Sequence, residues 1–217
     1  MFKQLEIGTY NLDHLLIEQT RTERTMNLSV YKVPFIAVVL GRGSDPEIEL
    51  NVEACHQDNV NILKRPGGGC SVVLDQGNVI VSVVLPASGI SDNKKYFDKL
   101  TDWLIGRLSS AGIDGVYRDG ISDLVIKARK IGGSSIQRTR DYLYFSSTLL
   151  VDPDVELMER YLKHPPREPQ YRRGRSHRDF VSSISSNFSD ISSDDIIAAF
   201  KADRDSNQMA DLLTEAR

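Results

Sequence analysis

Between Leu28 and Pro86 the chain reads LSVYKV, FIAVVLG, VNILKR, CSVVLD and NVIVSVVLP, short β-branched runs parted by Pro, Gly, Asp or Asn. The breaks among the last three runs leave no room for a crossover helix, so the spacing predicts antiparallel neighbours there. A second block, DLVIKARKI, SSIQRTR and YLYFSSTLLV, is broken at Gly132-Gly133 and at Asp141, again with hairpin-sized gaps. Helical periodicity lies outside these blocks. LDHLLIEQT, starting near Asn11 or Asp13, spaces Leu12, Leu15, Leu16 and Gln19 on one face. The Ser91-led segment SDNKKYFDKLTDWLIGRLSSAG aligns Tyr96, Leu100, Trp103, Leu104 and Leu108, with Gly112 as its stop. DPDVELMERYLK is predicted helical, with Asp152 as cap and Pro153 at its first position. Two short helices are expected near the end, with Ser192 and Asp195 forming a capping box before IIAAF. HPPREPQYRRGRSHRDF, rich in Pro and Arg, is expected to be a loop. The whole reads as a single α+β domain, a mainly antiparallel β-sheet flanked by helices.

Composition excludes several classes. At 217 residues the chain can bury its own core without staples. Two cysteines, Cys55 and Cys70, rule out a disulfide framework and a CxxC motif, and they suit a reducing cytoplasm. His56, His164 and His177 lack zinc-ligand spacing. No run reaches the length of a membrane span, the first residues lack a signal-peptide plan, and neither membrane nor nucleic acid is expected as a partner. A net charge of −3 argues against a dedicated nucleic-acid binder. Charge is uneven: Arg160, Lys163, Arg167, Arg172, Arg173, Arg175 and Arg178 precede an acidic stretch from Asp190 onward. These are either two solvated faces or an anion-binding segment followed by an acidic tail.

Two stretches could carry chemistry. In KRPGGGCSVVLDQGN three glycines follow Lys64 and Arg65 between strand-like runs. Glycine admits positive φ and lets a ligand reach the main chain, whose N–H groups can receive phosphate or carboxylate oxygens. It is neither a Walker loop nor a dinucleotide fingerprint, and a tight hairpin without ligand is the plain alternative. In DLVIKARKIGGSSI, Lys130 ends a strand beside glycines and serines, where an ammonium can stabilise a developing anion. Lys127 and Arg129 flank it, so a solvated basic strand is the alternative. Asp123 leads the same strand and could hold Mg²⁺ or orient the lysine or a ribose.

Taken together, the Arg-x-x-Gly-Gly block ending in Asp-x-Gly-Asn and the later Asp-Leu-Val…Lys-Ile-x-Gly-Ser resemble the lipoate–protein ligase and octanoyltransferase superfamily, which includes the biotin–protein ligases. The likeness spans roughly Asn11 to Phe180, and the Lys130 segment followed by SSTLLV and YRRGRSHRDF is its most specific part. It implies a groove for an acyl chain and adenylate. Lipoate or octanoate would attack ATP, with Mg²⁺, and the acyl group would pass to a lysine of a lipoyl-carrier domain. By the same likeness Lys130 is the catalytic lysine and Asp123 the aspartate before it. Arg65, Gly67, Gly68, Gly69, Cys70, Asp75, Asn78, Gly133, Ser134, Ser135 and Thr148 would contact substrate or adenylate. Lys64 and Cys70 replace family Arg and Gly positions, and Leu74 replaces a common histidine.

The residue count past Phe180 suggests a short form without the C-terminal accessory domain. Residues 1–185 would form the catalytic domain and 186–217 a helical extension packed on it, and a separate accessory subunit is a candidate partner. An ATP-independent lipoyl or octanoyl transferase and a non-catalytic binding subunit are the rival readings. Cys55 is expected in the core, and Cys70 is either a small buried residue or a nucleophile. Arg172 and Arg175, in a proline-stiffened segment, are expected to form a mobile lid that folds over the groove.

Overall fold

The computed structural model describes residues 5–87 and 93–201. The strands are β1 (Ile7–Thr9), β2 (Asn27–Lys32), β3 (Ala37–Leu40), β4 (Asn61–Lys64), β5 (Val72–Leu74), β6 (Asn78–Pro86), β7 (Tyr117–Asp119), β8 (Asp123–Ile126), β9 (Arg129–Arg138) and β10 (Tyr142–Leu150). The α-helices are α1 (His14–Glu23), α2 (Pro46–Glu49), α3 (Val52–Gln57), α4 (Asn93–Ser110), α5 (Val155–Tyr161), α6 (His177–Phe180), α7 (Ile184–Asn187) and α8 (Ser193–Lys201). The larger sheet is antiparallel throughout, in the order β2-β6-β10-β9-β8-β7. The smaller sheet runs β1-β4-β3-β5 and is mixed, since β4 lies parallel to both β1 and β3. The α+β class with a mainly antiparallel sheet therefore holds.

Strand pairing corrects the first expectation. The runs containing β4, β5 and β6 are not mutual neighbours: β5 pairs with β3, and β6 pairs with β2 and β10 in the other sheet. The reason is the stretch from Pro46 to Gln57, which forms α2 and α3 and supplies the crossover that a parallel β3–β4 pair requires. Asp45 caps α2 by accepting from the Glu47 N–H, with Pro46 at the first position.

The larger core joins the inner face of the antiparallel sheet to α4 and α8. Leu100, Trp103, Leu104 and Leu108 are buried as the periodicity requires, beside Ile196 and Phe200. Gly112 takes φ 83° just after α4, and Ser192 and Asp195 form the capping box. Ser91, expected to lead α4, lies outside the described residues. α1 starts after Asp13, but its face is not the leucine one: Leu15 is 82% exposed, whereas Asp13 and Thr20 are buried. The α5 cap also moves, from Asp152 to Asp154, whose carboxylate accepts from the Glu156 N–H. A second core, with Cys55, Met158, Tyr161 and Phe180, packs α3, α5 and α6 on the smaller sheet.

Candidate functional site

The predicted break at Gly132-Gly133 is absent, because β9 runs through both glycines. The chain turns earlier, at Lys127 and Ala128, with φ 47° and 59°. Two left-handed residues are what a tight hairpin needs, and β8 and β9 are its arms. Lys130 therefore opens a strand rather than ending one. Register shifts just after it: Val125 faces Lys130, but Leu124 faces Gly132, leaving Ile131 as a bulge buried in the core. Strict alternation would put Lys130 and Gly133 on opposite faces. The bulge lets both line one cavity.

That cavity, about 550 Å³, lies between the two sheets and falls within the size range of small-molecule sites. Lys130 Nζ is 2.7 Å from Asp123 Oδ1. The lysine lies across Gly133, where a Cβ would come within 3.0 Å of Nζ, so the glycine serves close approach rather than a turn. The Tyr171 hydroxyl donates to the other carboxylate oxygen, Asp123 Oδ2, at 2.8 Å. Burial, and then the Asp123 charge, push the Tyr171 phenol well above its ordinary range, so it stays a donor.

The glycine loop forms the facing wall. Gly67 sits over Ser135, where a Cβ would lie 2.9 Å from the Ser135 hydroxyl, and Gly69 takes φ 95°. Arg65 holds the loop from beneath, donating to the carbonyls of Val39 (3.0 Å), Gly68 (2.9 Å) and Cys70 (2.8 Å). Gly67, Gly68, Gly69, Cys70, Gly133, Ser134, Ser135 and Thr148 all line the cavity. The Ser134 hydroxyl is buried there with no hydrogen-bond partner among the described residues. Val39, Val72, Ile136, Leu150, Met158 and Phe180 supply apolar wall.

Two expected contacts do not reach the cavity. Asp75 accepts from Gly77 N (2.7 Å), Asn78 Nδ2 (3.0 Å) and Asp154 N (2.8 Å), stitching the turn before β6 to the start of α5. Gly77 is needed there because a Cβ would lie 1.9 Å from the Asp152 carbonyl oxygen. Asp75 is thus engaged at that junction, and Asn78 gives its amide to Asp75 while its Oδ1 stays buried without a partner among the described residues.

The Pro- and Arg-rich segment is not a bare loop. It contains a 3₁₀ turn, Gln170–Arg172, and α6, and it straps the mouth of the cavity. Arg175 does not line the cavity. It ties Tyr171 O (2.8 Å) to Ala128 O (3.0 Å) of the β8–β9 hairpin. Arg172 does line it, only 4% exposed, with Nε donating to Arg175 O at 3.0 Å and the guanidinium over Phe180. Its Nη2 has no hydrogen-bond partner among the described residues. Cys70 Sγ lies 3.7 Å from Arg167 O, joining loop to strap.

Sequence reasoning missed a buried polar node behind the cavity. Asp13 Oδ2 accepts from Tyr144 (2.6 Å), Ser82 (2.7 Å) and Tyr31 (3.2 Å), and both Tyr144 and Tyr10 line the cavity. Glu49 was missed too: its Oε2 accepts from Ser71 N and Oγ, both at 2.6 Å, fixing the residue after the glycine loop. The Asp-Pro-Glu start of α2 was the available signal for it.

Residues 9–203 match the family model described as the lipoyl protein ligase A/B catalytic domain. A probable lipoate-protein ligase A of Mycoplasma genitalium is 28% identical over 152 residues, covering 70% of this chain and 44% of that protein. A putative lipoate-protein ligase A of Schizosaccharomyces pombe is 30% identical over 131 residues, covering 59% of this chain and 34% of that protein. This chain thus spans less than half the length of these curated relatives. Among solved structures, a bipartite lipoate protein ligase of Thermoplasma acidophilum, described with its E2 lipoyl domain, superposes with a TM-score of 0.73 at 20% identity, covering 97% of this chain and 89% of that one. A lipoate-protein ligase A bound with ATP gives 0.72 at 17% identity, covering 98% and 94%. These structures establish the shared fold.

Proposed function

The chain belongs to the lipoyl protein ligase A/B catalytic-domain family, and from that premise we propose that it activates lipoate or octanoate with ATP and transfers the acyl group to a lysine of a lipoyl-carrier domain. The observation that carries this reading is Lys130, held on Asp123 across Gly133 in a cavity with one apolar wall. In the first step a carboxylate oxygen attacks the α-phosphorus of ATP, and pyrophosphate leaves. In the second the carrier amine attacks the acyl carbonyl, AMP leaves, and the amine gives up a proton. Both steps place negative charge on oxygens within reach of an ammonium and of the glycine-loop N–H groups. Arg172 Nη2 and the Ser134 hydroxyl, buried and unpartnered, are ready donors for phosphate or carbonyl oxygen.

The donors do not suit a resident metal ion. Both Asp123 oxygens are taken, and no three His, Cys, Asp or Glu side chains gather among the described residues. Magnesium enters this reading as the ion that the nucleotide phosphates bring with them. The apolar wall of the cavity suits a medium-chain acid.

We read the carrier domain, and a separate accessory subunit, as partners. The described part of the C-terminal extension packs on the same core through Ile196 and Phe200, in keeping with one catalytic unit. Among the described residues no helix is long and apolar enough to cross a membrane, and the two free thiols agree with a cytoplasmic setting. Cys70 on the cavity wall is the observation that favours an ATP-independent transferase through a thioester. Pyrophosphate release separates the two. A stoichiometric burst with lipoate and ATP alone, and sustained release with carrier, are expected. Acyl transfer between carriers without ATP, abolished in Cys70→Ser, would replace the ligase by the transferase.

A further inference from the structure

The strap is joined to the Lys130 hairpin at both main chain and side chain. Ser182 N donates to Lys130 O at 2.8 Å, and Arg175 reaches Ala128 O at 3.0 Å. Just upstream of these ties Tyr171 approaches Asp123, resting on the glycine of the β7–β8 turn. A Cβ on Gly120 would lie 2.9 Å from Pro169 and 4.0 Å from the Tyr171 ring, so the strap descends only because that residue is glycine. Asp123 is therefore held from two sides: Lys130 on Oδ1 at 2.7 Å and Tyr171 on Oδ2 at 2.8 Å.

A carboxylate with one partner can rotate about χ2 and carry that partner with it. A second, fixed donor removes the freedom. We infer that Tyr171 is a positioning residue, which locks the Asp123 carboxylate and through it aims the Lys130 ammonium into the cavity. The ring needs no hydroxyl to stay in place, because it packs on Phe180 with centroids 5.0 Å apart. The hydroxyl is thus separable from the packing of the strap.

Tyr171→Phe tests this with two readouts. The first needs no activity: limiting acetic anhydride, followed by mass spectrometry, measures modification of Lys130 relative to the other lysines. With its partner freed to swing, Lys130 should label severalfold faster in the variant. The second rests on the ligase reading. The kcat of lipoate-dependent pyrophosphate release should fall about tenfold, the size of one hydrogen bond to a charged group, with KM for ATP and lipoate within about twofold. Tm should stay within about 2 °C, since the ring remains. Unchanged Lys130 labelling overturns the inference whatever the kinetics do. Faster labelling with unchanged kcat overturns it as well, because Lys130 would not need the lock. A fall in Tm that tracks the kinetic loss would reduce Tyr171 to packing. If the wild type releases no pyrophosphate with any acid, the ligase reading fails, and the labelling result alone decides the inference.

Discussion

Two buried aspartates organise this molecule in opposite ways. Asp13 gathers three hydroxyls, from Tyr31, Ser82 and Tyr144, all neutral donors on rigid elements. Asp123 gathers one ammonium and one phenol, the first on a bulged strand and the second on a strap. Their exposures are nearly equal, 4% and 6%. What differs is the donor: hydroxyl donors on fixed strands make an anchor, whereas a lysine facing a cavity makes a charge that a reaction can borrow. Burial alone does not tell an anchoring carboxylate from one that holds a lysine at a cavity.

That contrast is broken most directly by removing Lys130 and Asp13 in turn. Lys130→Ala should lower acyl transfer by about a hundredfold or more, as loss of a charge aimed at an oxyanion does, and lower Tm only modestly, because Asp123 keeps the Tyr171 hydroxyl. Near wild-type transfer in a thermally normal variant would sink the assignment. Asp13→Ala should do the reverse. The buried Ser82 and Tyr144 hydroxyls left without their acceptor, with Tyr31 partly so, should cost about 3 kcal/mol, a Tm drop of roughly 6–12 °C, seen by calorimetry. Activity per folded molecule should change little.

Alkali sharpens the comparison. Burial pushes the Tyr10 phenol up to about 12, and it drives Tyr31 and Tyr144 well above the ordinary tyrosine value too. Their folded values lie above the unfolded value of about 10, so the stability they give is complete below pH 10 and is lost as pH rises from there, for Tyr10 through about 12. Absorbance near 295 nm should show these tyrosines ionising only with unfolding. Early, non-cooperative ionisation would mean that the Asp13 node is open to water.

The smallest effect is expected at the surface link between α3 and α5. Arg160 and then Tyr161 donate to Asp58 and hold its carboxyl down at about 2. A depressed carboxylate stabilises above its unfolded pKa, about 3.9, and the gain disappears as pH falls through 2. Asp58→Asn should thus lower Tm slightly at pH 7, and the difference should close between about pH 4 and pH 2. A gap that persists at pH 2 would assign the effect to packing.

What was legible in the sequence was local. Lys130 and Asp123 stand seven positions apart on one hairpin, and the glycine loop is a contiguous run, so pattern could reach both. The antiparallel pairing of β9 and β10 followed from β-branched runs with hairpin-sized gaps, whereas the same reasoning misplaced the partners of β4, β5 and β6. Asp13 was not legible, because its partner Tyr144 lies 131 positions away and nothing in LDHLL marks the aspartate as buried. Leucine spacing instead pointed to the wrong face of α1. Tyr171 was hidden in a segment that composition reads as solvated, although its arginines spend their donors on carbonyls of the fold. Asp75 and Asn78 show the converse: motif positions that resemble ligand contacts lie outside the cavity lining, at the junction of the turn before β6 with the start of α5.

The central claim is that Lys130 and Asp123 serve acyl-adenylate formation and transfer. Intact-mass analysis of an apo lipoyl-carrier domain incubated with the protein, ATP, magnesium and lipoate tests it most directly. The account expects the mass of one lipoyl group on one lysine, dependent on ATP and absent with Lys130→Ala. Modification that proceeds without ATP, or equally well with Lys130→Ala, would contradict it.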